Sequence, residues 1–287
     1  MNRILLVTLF TALVATACNS RAADPETAST AASGTTSAKI AWVPYDDPGE
    51  HAFSIEVPQG WNVQGGMYRF GYFDVRGTVD LRSPDGAIIL RFDDANIPPY
   101  ALPGPHKPAE GQLYAKPRQF QMMVERYRDA QSFAETYGKS RFRSVCQNLT
   151  PEAGTWKPTM PALVLQMHPQ TATEGTVDYT CASSAGPKRA SVFVRTSLYP
   201  GTNDSSFWVA DPVLSALTAP ALMPVAQSIM QHILDTFQVN PQWEAYQKQM
   251  TQEGVALIGQ NFQSFLAQMQ AQHQAIYKFL EQAGLRL

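Results

Sequence analysis

The stretch from Phe53 to Asp93 decides the fold, and its pieces are FSIEVPQGW at 53–61, GYFDVRGTVDL at 71–81 and AIILRFDD at 87–94. In the first piece Phe53, Ile55 and Val57 alternate with Ser54 and Glu56, the period of a half-buried strand that Pro58 ends. Gln59-Gly60 then turns the chain into Trp61 and Val63, which reads as a first hairpin, and Gly65-Gly66 breaks its second strand. Alternation returns from Tyr72 to Leu81, followed by Ser83-Pro84-Asp85-Gly86. Serine first, proline second and glycine fourth is the chemistry of a type I turn, so Ala87 to Phe92 comes back as the next strand. Antiparallel neighbours joined by tight turns imply a meander with one face on the core.

Outward from this stretch, 287 residues with 44% hydrophobic content are enough for a sizeable core. Charged residues make up only 16%, against about 25% in an average soluble domain, and the formal charge is −2. Lys and Arg are scattered, with Arg141 and Arg143 the nearest to a pair, so nucleic acid is not an expected partner.

The N-terminus carries an address. Asn2 and Arg3 precede an apolar run from Ile4 to Ala15, too short for a comfortable membrane span, and Ala15-Thr16-Ala17 is a small-residue cleavage site. Residues 1–17 therefore read as a signal peptide. Ala15-Thr16-Ala17-Cys18 resembles the lipobox of bacterial lipoproteins, in which the cysteine is acylated and becomes the first mature residue. Alanine in place of the usual leucine three residues earlier leaves conventional cleavage open as the alternative, giving a soluble periplasmic or secreted protein. Asn19 after the cysteine is not the aspartate associated with inner-membrane retention, which points to an outer-membrane anchor facing the periplasm. Residues 18–40, rich in Ala, Ser and Thr, read as a lipidated cysteine and a disordered tether. With Cys18 lipidated, Cys146 and Cys181 remain as an even number in an oxidising space and are expected to pair.

From Asp93 to Tyr114 the pattern stops, with Pro98, Pro99, Pro103, Pro105 and Pro108 breaking regular structure. A loop of that length is either functional or a proline-stiffened surface crossing. Asp93, Asp94, Tyr100 and His106 are its candidate binding residues, although adjacent strand positions send Asp93 and Asp94 to opposite faces. Pro117 then opens a helix with Phe120, Met123, Val124, Tyr127, Phe133, Ala134 and Tyr137 on one face, stopped by Gly138. Strand patterns follow at Phe142–Leu149, Ala162–Met167, Gly175–Cys181, Ser191–Tyr199 and Ser206–Ala210. A second helix starts at Pro224, its apolar face made by Val225, Ile229, Ile233 and Phe237. Strands grouped in this way argue an α+β domain over 41–240, an antiparallel sheet with two packing helices.

After Pro241 a Gln-rich segment, 241–287, places Trp243, Tyr246, Met250, Leu257, Phe265, Met269, Ile276 and Leu280 at steps of three, four or seven. This predicts a long amphipathic C-terminal helix of some 40 residues, about 60 Å if unbroken, with kinks at Gly254 and Gly259. Its stripe needs a cover, which is its own domain, a second copy or another envelope protein.

Chemistry is harder to find. The sequence contains no GxSxG, HExxH, CxxC or P-loop, and His51, His106, His168, His232 and His273 are widely spaced. No cofactor, metal or catalytic residue is expected; a hydrolase using Asp93, His106 and a serine is the less favoured alternative.

FSIEVPQGWNVQGG, then SPDG and IPPYALP, then QMMVERY, FAETY and NPQW, together resemble a group of uncharacterised exported bacterial proteins with a PsbP-like α+β sandwich. The resemblance spans roughly Trp42 to Trp243 and rests on turn and packing residues. It implies a sandwich that binds or assembles without catalysis, and it carries over no catalytic residue. The expectation is a lipid-anchored periplasmic binding or assembly protein of the cell envelope, with an inhibitor or immunity lipoprotein that plugs a partner with the 93–114 loop as the alternative.

Overall fold

The pieces of the Phe53 to Asp93 stretch do form strands, but two sheets share them. The computed structural model describes residues 40–70, 74–115, 121–161, 169–184, 186–201 and 205–257. β1 (Trp42–Asp46) and β2 (Phe53–Pro58) pair antiparallel, and β13 (Gln238–Val239) closes the other side of β2 to give a three-stranded sheet. The remaining strands are β3 (Asn62–Arg69), β4 (Val75–Arg82), β5 (Ile88–Phe92), β6 (Tyr100–Ala101), β7 (Leu113–Ala115), β8 (Gln121–Val124), β9 (Asn148–Ala153), β10 (Thr171–Ser183), β11 (Gly186–Tyr199) and β12 (Phe207–Thr218). They make one large sheet whose main path runs β3-β4-β5-β12-β11-β10-β9, with β6, β7 and β8 branching from β12.

Both faces of the large sheet are covered. On one face α1 (Ala130–Phe142) packs through Phe133, Ala134 and Phe142 against Val177, Tyr179, Val192 and Val194. On the other, α2 (Met223–Asp235) buries Ala226, Ile229, Met230 and Ile233 with Leu81, Leu90, Phe193 and Leu214. The alternation of Val192, Phe193 and Val194 between the two clusters follows from the strand period of two. Ala190–Val194 of β11 and Pro212–Thr218 of β12 are consequently unbroken buried runs, where the sequence led us to expect one solvated face.

The structure corrects the predicted architecture, an antiparallel sheet with two packing helices plus a long C-terminal helix. The fold is mostly antiparallel sheet with three helices among the described residues, and the last, α3 (Pro241–Leu257), spans 17 residues. A stripe of apolar residues fixes which face of a helix seeks cover, not how far the helix runs, and glycine propagates a helix about 1 kcal/mol less well than alanine. Two smaller corrections concern local signals. β2 and β3 do not pair; the Gln59-Gly60 turn, closed by Trp61 N–H on the Pro58 carbonyl at 3.2 Å, passes the chain from one sheet to the other. The helix expected from Pro117 starts at Ala130, and Gln121–Val124 is strand. Asp129 sets that start, its carboxylate accepting from Ser132 N–H at 2.8 Å, as an N-cap must. The strand expected at Ala162–Met167 lies outside the described residues.

Asp47 binds the first turn to the edge of the large sheet. Fully buried, its carboxylate accepts from the N–H groups of Gly49 (3.0 Å), Glu50 (3.1 Å), Ala52 (3.0 Å) and Met67 (3.0 Å). Gly66 makes room for it, because a Cβ there would come within 2.3 Å of Asp47 Oδ1. Cys146 and Cys181 form the expected disulfide, Cα atoms 5.2 Å apart, fastening the chain just after α1 to β10.

Asp47→Ala leaves four N–H groups without their acceptor and is expected to cost about 3 kcal/mol or more in urea unfolding, with Asp47→Asn intermediate. Replacing both Cys146 and Cys181 by serine opens a loop of 35 residues and is expected to cost about 4 kcal/mol in the same assay.

Candidate functional site

The segment from Asp93 to Ala115 leaves the sheet and returns to it, and every candidate binding residue from the sequence lies on it. Asp93 turns the chain out. Its φ is 53°, in the left-handed region that aspartate tolerates better than most residues. Its N–H donates to the Val213 carbonyl at 2.7 Å, while its carboxylate accepts from Val213 N–H at 2.8 Å. The left-handed turn aims the Asp93 carbonyl at the Thr78 hydroxyl instead (3.0 Å), so the side chain takes the place of a ladder carbonyl.

Asp94 faces another way. Arg91 Nη1 and the Tyr137 hydroxyl both donate to its Oδ2, at 2.8 and 3.0 Å, and Asn96 N–H donates to Oδ1 at 3.0 Å. Arg91 also pairs with Asp80 at 2.6 Å, so this ion network ties α1 to β4 and β5. Burial works against the Asp94 charge, yet Asn96 N–H, Arg91 and Tyr137 outweigh it and hold the carboxyl below its ordinary value. Asp93 moves in the opposite direction: burial, and then the Asp211 charge, push its carboxyl well above the ordinary value.

Tyr100 is not a contact residue but core. It stacks on Trp208 with ring centroids 4.1 Å apart and is 7% exposed, so burial, and then Glu125, push its phenol up to about 12. The prolines that break the pattern around it leave room for two ladder positions, Tyr100↔Trp208 and Ala101↔Phe207. Trp208 Nε1 in turn donates to the Glu125 carbonyl at 3.0 Å, pinning β8 as well. His106 is exposed, on a turn that Lys107 N–H closes onto the Gly104 carbonyl. The site residues of the sequence reading therefore separate into three anchors and one surface residue, and the structure does not gather Asp93 and His106 into one concave catalytic site.

What the segment does present is its far edge. Ala109, Glu110, Gly111, Gln112 and Leu113 are all exposed, and Leu113 is 61% exposed. Gly111 N–H to the Val124 carbonyl (2.8 Å) and Val124 N–H to the Gln112 carbonyl (2.9 Å) hold that edge in place, as does the Arg126–Glu110 ion pair.

On α3 the predicted association residues divide. Trp243 packs on the domain's own core, its Nε1 donating to Glu50 Oε2 at 2.7 Å, and Glu50 is in turn held by Arg69 (2.6 Å). Tyr246 is exposed, Met250 is half-buried, and Leu257 is the last described residue of α3. Phe265, Met269, Ile276 and Cys18 lie outside the described residues. The sequence reading missed Asp211, because Asp211-Pro212 looked like the end of a strand, whereas β12 continues through it. No cluster of three metal-ligating side chains occurs among the described residues, and no helix there is long and apolar enough to cross a membrane.

No protein-family model matches this chain, and no curated protein matches it. Among solved structures, the chain is similar to cyanobacterial PsbP from Synechocystis sp. PCC 6803, with TM-score 0.32 and 12% identity, covering 71% of this chain and 96% of that one. It is also similar to LpqN of Mycobacterium tuberculosis, a protein involved in cell envelope biogenesis, with TM-score 0.25 and 10% identity, covering 71% and 92%. The first of these carries the family name that the sequence resemblance gave.

Because the Asp93 carboxyl is raised in the folded protein, its contribution to stability is fully present below about pH 4 and is lost as pH rises through the folded value. Asp93→Asn keeps both an acceptor for Val213 and tolerance of the left-handed turn. Urea midpoints are expected to match wild type at about pH 4 and to exceed it at about pH 8. A variant that falls below wild type at about pH 8 by more than it does at about pH 4 would show instead that the charge of Asp93 is favourable.

Proposed function

We propose that this chain is an exported, non-catalytic binding or assembly protein of the bacterial cell envelope, anchored through an acylated Cys18 and engaging a protein partner with the 109–113 edge. The carrying observation is that edge: a large apolar side chain, Leu113, 61% exposed on backbone held by hydrogen bonds. An ordered apolar contact costs less entropy on binding than a loose one, which is what an anchor residue requires. The Cys146–Cys181 disulfide supports an oxidising compartment, in line with the signal-like N-terminus. Asp93, Asp94 and Glu50 support a binding rather than a catalytic role, since each spends its carboxylate on the fold's own donors.

An inhibitor or immunity lipoprotein is the second reading. The same rigid, exposed edge favours it, because a plug must enter its target preformed. The two differ in what the partner loses: an inhibitor silences an enzyme, an assembly factor does not.

A photocrosslinking residue at position 113, in cells, is expected to capture a discrete envelope protein, while the same residue at Lys139 on the exposed side of α1 captures none. No adduct at 113, or the same adduct at 139, overturns the reading. Cys18→Ser is separately expected to move the protein from the membrane pellet to the soluble fraction.

A further inference from the structure

The outermost strands of the two sheets differ in what their free sides offer. In β1, Gln59 N–H donates to the Ala41 carbonyl (2.8 Å) and Asp47 N–H to the Phe53 carbonyl (3.0 Å), which turns the odd-numbered residues toward β2. Pro44 therefore lies at an outward place, where it removes a donor from the free side. In β9, Gly154 N–H donates to the Thr176 carbonyl at 2.9 Å, which turns the even-numbered residues toward β10 and leaves another proline, Pro151, outward. The free side of β3 is occupied by β1 and its turn: Met67 N–H donates to Asp47, and the Gly65 carbonyl accepts from the Tyr45 hydroxyl at 2.9 Å. β13 is two residues long and leads into Pro241. Proline, shortness and cover are ordinary means of keeping a sheet edge from pairing with other chains.

β7 carries no proline and is the outer strand of the branch β12-β6-β8-β7. Its pairing with β8 sets Leu113 opposite Met123. Val124 N–H donates to the Gln112 carbonyl at 2.9 Å, whereas Met123 N–H points the other way, to the Pro99 carbonyl at 3.0 Å. Those two bonds fix the alternation: Gln112 and Tyr114 face β8 through their backbone, and Leu113 and Ala115 turn theirs to the free side. No hydrogen bond among the described residues engages the outward N–H or carbonyl of Leu113. Leu113 thus offers an exposed apolar side chain and two backbone groups at one place.

We propose that the partner of this edge is an extended polypeptide segment of another protein, which adds to the large sheet as a strand beside β7. This rests on the proposed binding role of the 109–113 edge and states what kind of partner it takes. An extended chain returns a carbonyl to each outward N–H and an N–H to each outward carbonyl, at the same spacing of two residues. A helix has its own backbone groups bonded internally and meets Leu113 with side chains alone. β7 is three residues long, so pairing is confined to the backbone groups of Leu113 and Ala115, and apolar contact at Leu113 adds to it. Nearby charges have partners within the chain: Glu110 pairs with Arg126, and Lys107 donates to the Leu102 carbonyl. The edge therefore selects by backbone and apolar contact rather than by charge.

Photocrosslinking in cells from position 112, where Gln112 is exposed, tests strand addition in the full chain. Ala115→Pro removes an outward N–H, keeps Leu113 and costs β7 none of its bonds to β8. It is expected to lower the yield of the adduct with the envelope partner about tenfold, whereas Ala115→Ser, which keeps the N–H, leaves the yield unchanged. Urea midpoints check that both variants are folded. Should Ala115→Pro prove unfolded, Leu113→Pro against Leu113→Ala makes the same comparison, with the lower yield expected for proline. An adduct that proline does not weaken at either position overturns strand addition and leaves the binding role standing. An adduct of twice the chain's own mass makes the occupant a second copy and overturns the assignment to another protein. Absence of any adduct in the wild type overturns the binding role and this inference with it, so the two failures are distinguishable.

Discussion

The structure depends on satisfying the backbone of β12. This strand is buried on both faces from Pro212 to Thr218, and a buried N–H or carbonyl without a partner costs about 1–3 kcal/mol. β11 serves one side almost throughout. β5 serves the other, but only from Leu214 to Thr218, because Asp93 turns the chain away. The far end, Phe207 and Trp208, must find another neighbour, and Tyr100 and Ala101 provide it. A proline-rich stretch that looks like a loop is thereby made part of the sheet, and the stacking of Tyr100 on Trp208 buries its centre. The exposed edge at 109–113 is ordered because the segment it belongs to is fastened at both ends.

Much of this was legible from local chemistry and some was not. Ser83-Pro84-Asp85-Gly86 specifies a turn by its own residues, and Gly86 N–H does close on the Ser83 carbonyl at 2.8 Å between β4 and β5. The apolar spacing of Ile229 and Ile233 marks the buried face of α2. Partners distant in sequence leave no such trace. Nothing in FSIEVPQGW indicates that the strand after the turn joins a different sheet, because the alternation of Phe53, Ile55 and Val57 is satisfied by any covering layer. Gly138 seemed a helix stop and is instead a packing site, where a Cβ would fall 2.5 Å from the ring of Tyr179. Met123 and Val124 fit a helical face as well as a strand, and tertiary pairing with Tyr100 and Ala101 decided for the strand.

The candidate site was legible only as a place. Asp93, Asp94 and Tyr100 were found as residues of interest, yet their roles depend on Val213, Arg91, Tyr137 and Trp208, which lie up to 120 positions away. Asp47 shows the same limit from the other direction. Asp-Pro-Gly is ordinary turn chemistry in sequence, but Met67 N–H, from the neighbouring strand, makes that carboxylate a junction between sheets. In each case the sequence displays the acid and the fold supplies its partner, and that partner determines whether the acid holds the structure or responds to pH.

The central claim is that the Asp93 to Ala115 segment is integral to the core through Tyr100 and Trp208, and a double-mutant cycle on this pair tests it most directly. With Tyr100→Ala, Trp208→Ala and the double variant compared by urea unfolding, stacked rings predict a coupling of about 0.5–1.5 kcal/mol. Additive losses, with no coupling beyond experimental error, would contradict the account and return the segment to a surface crossing.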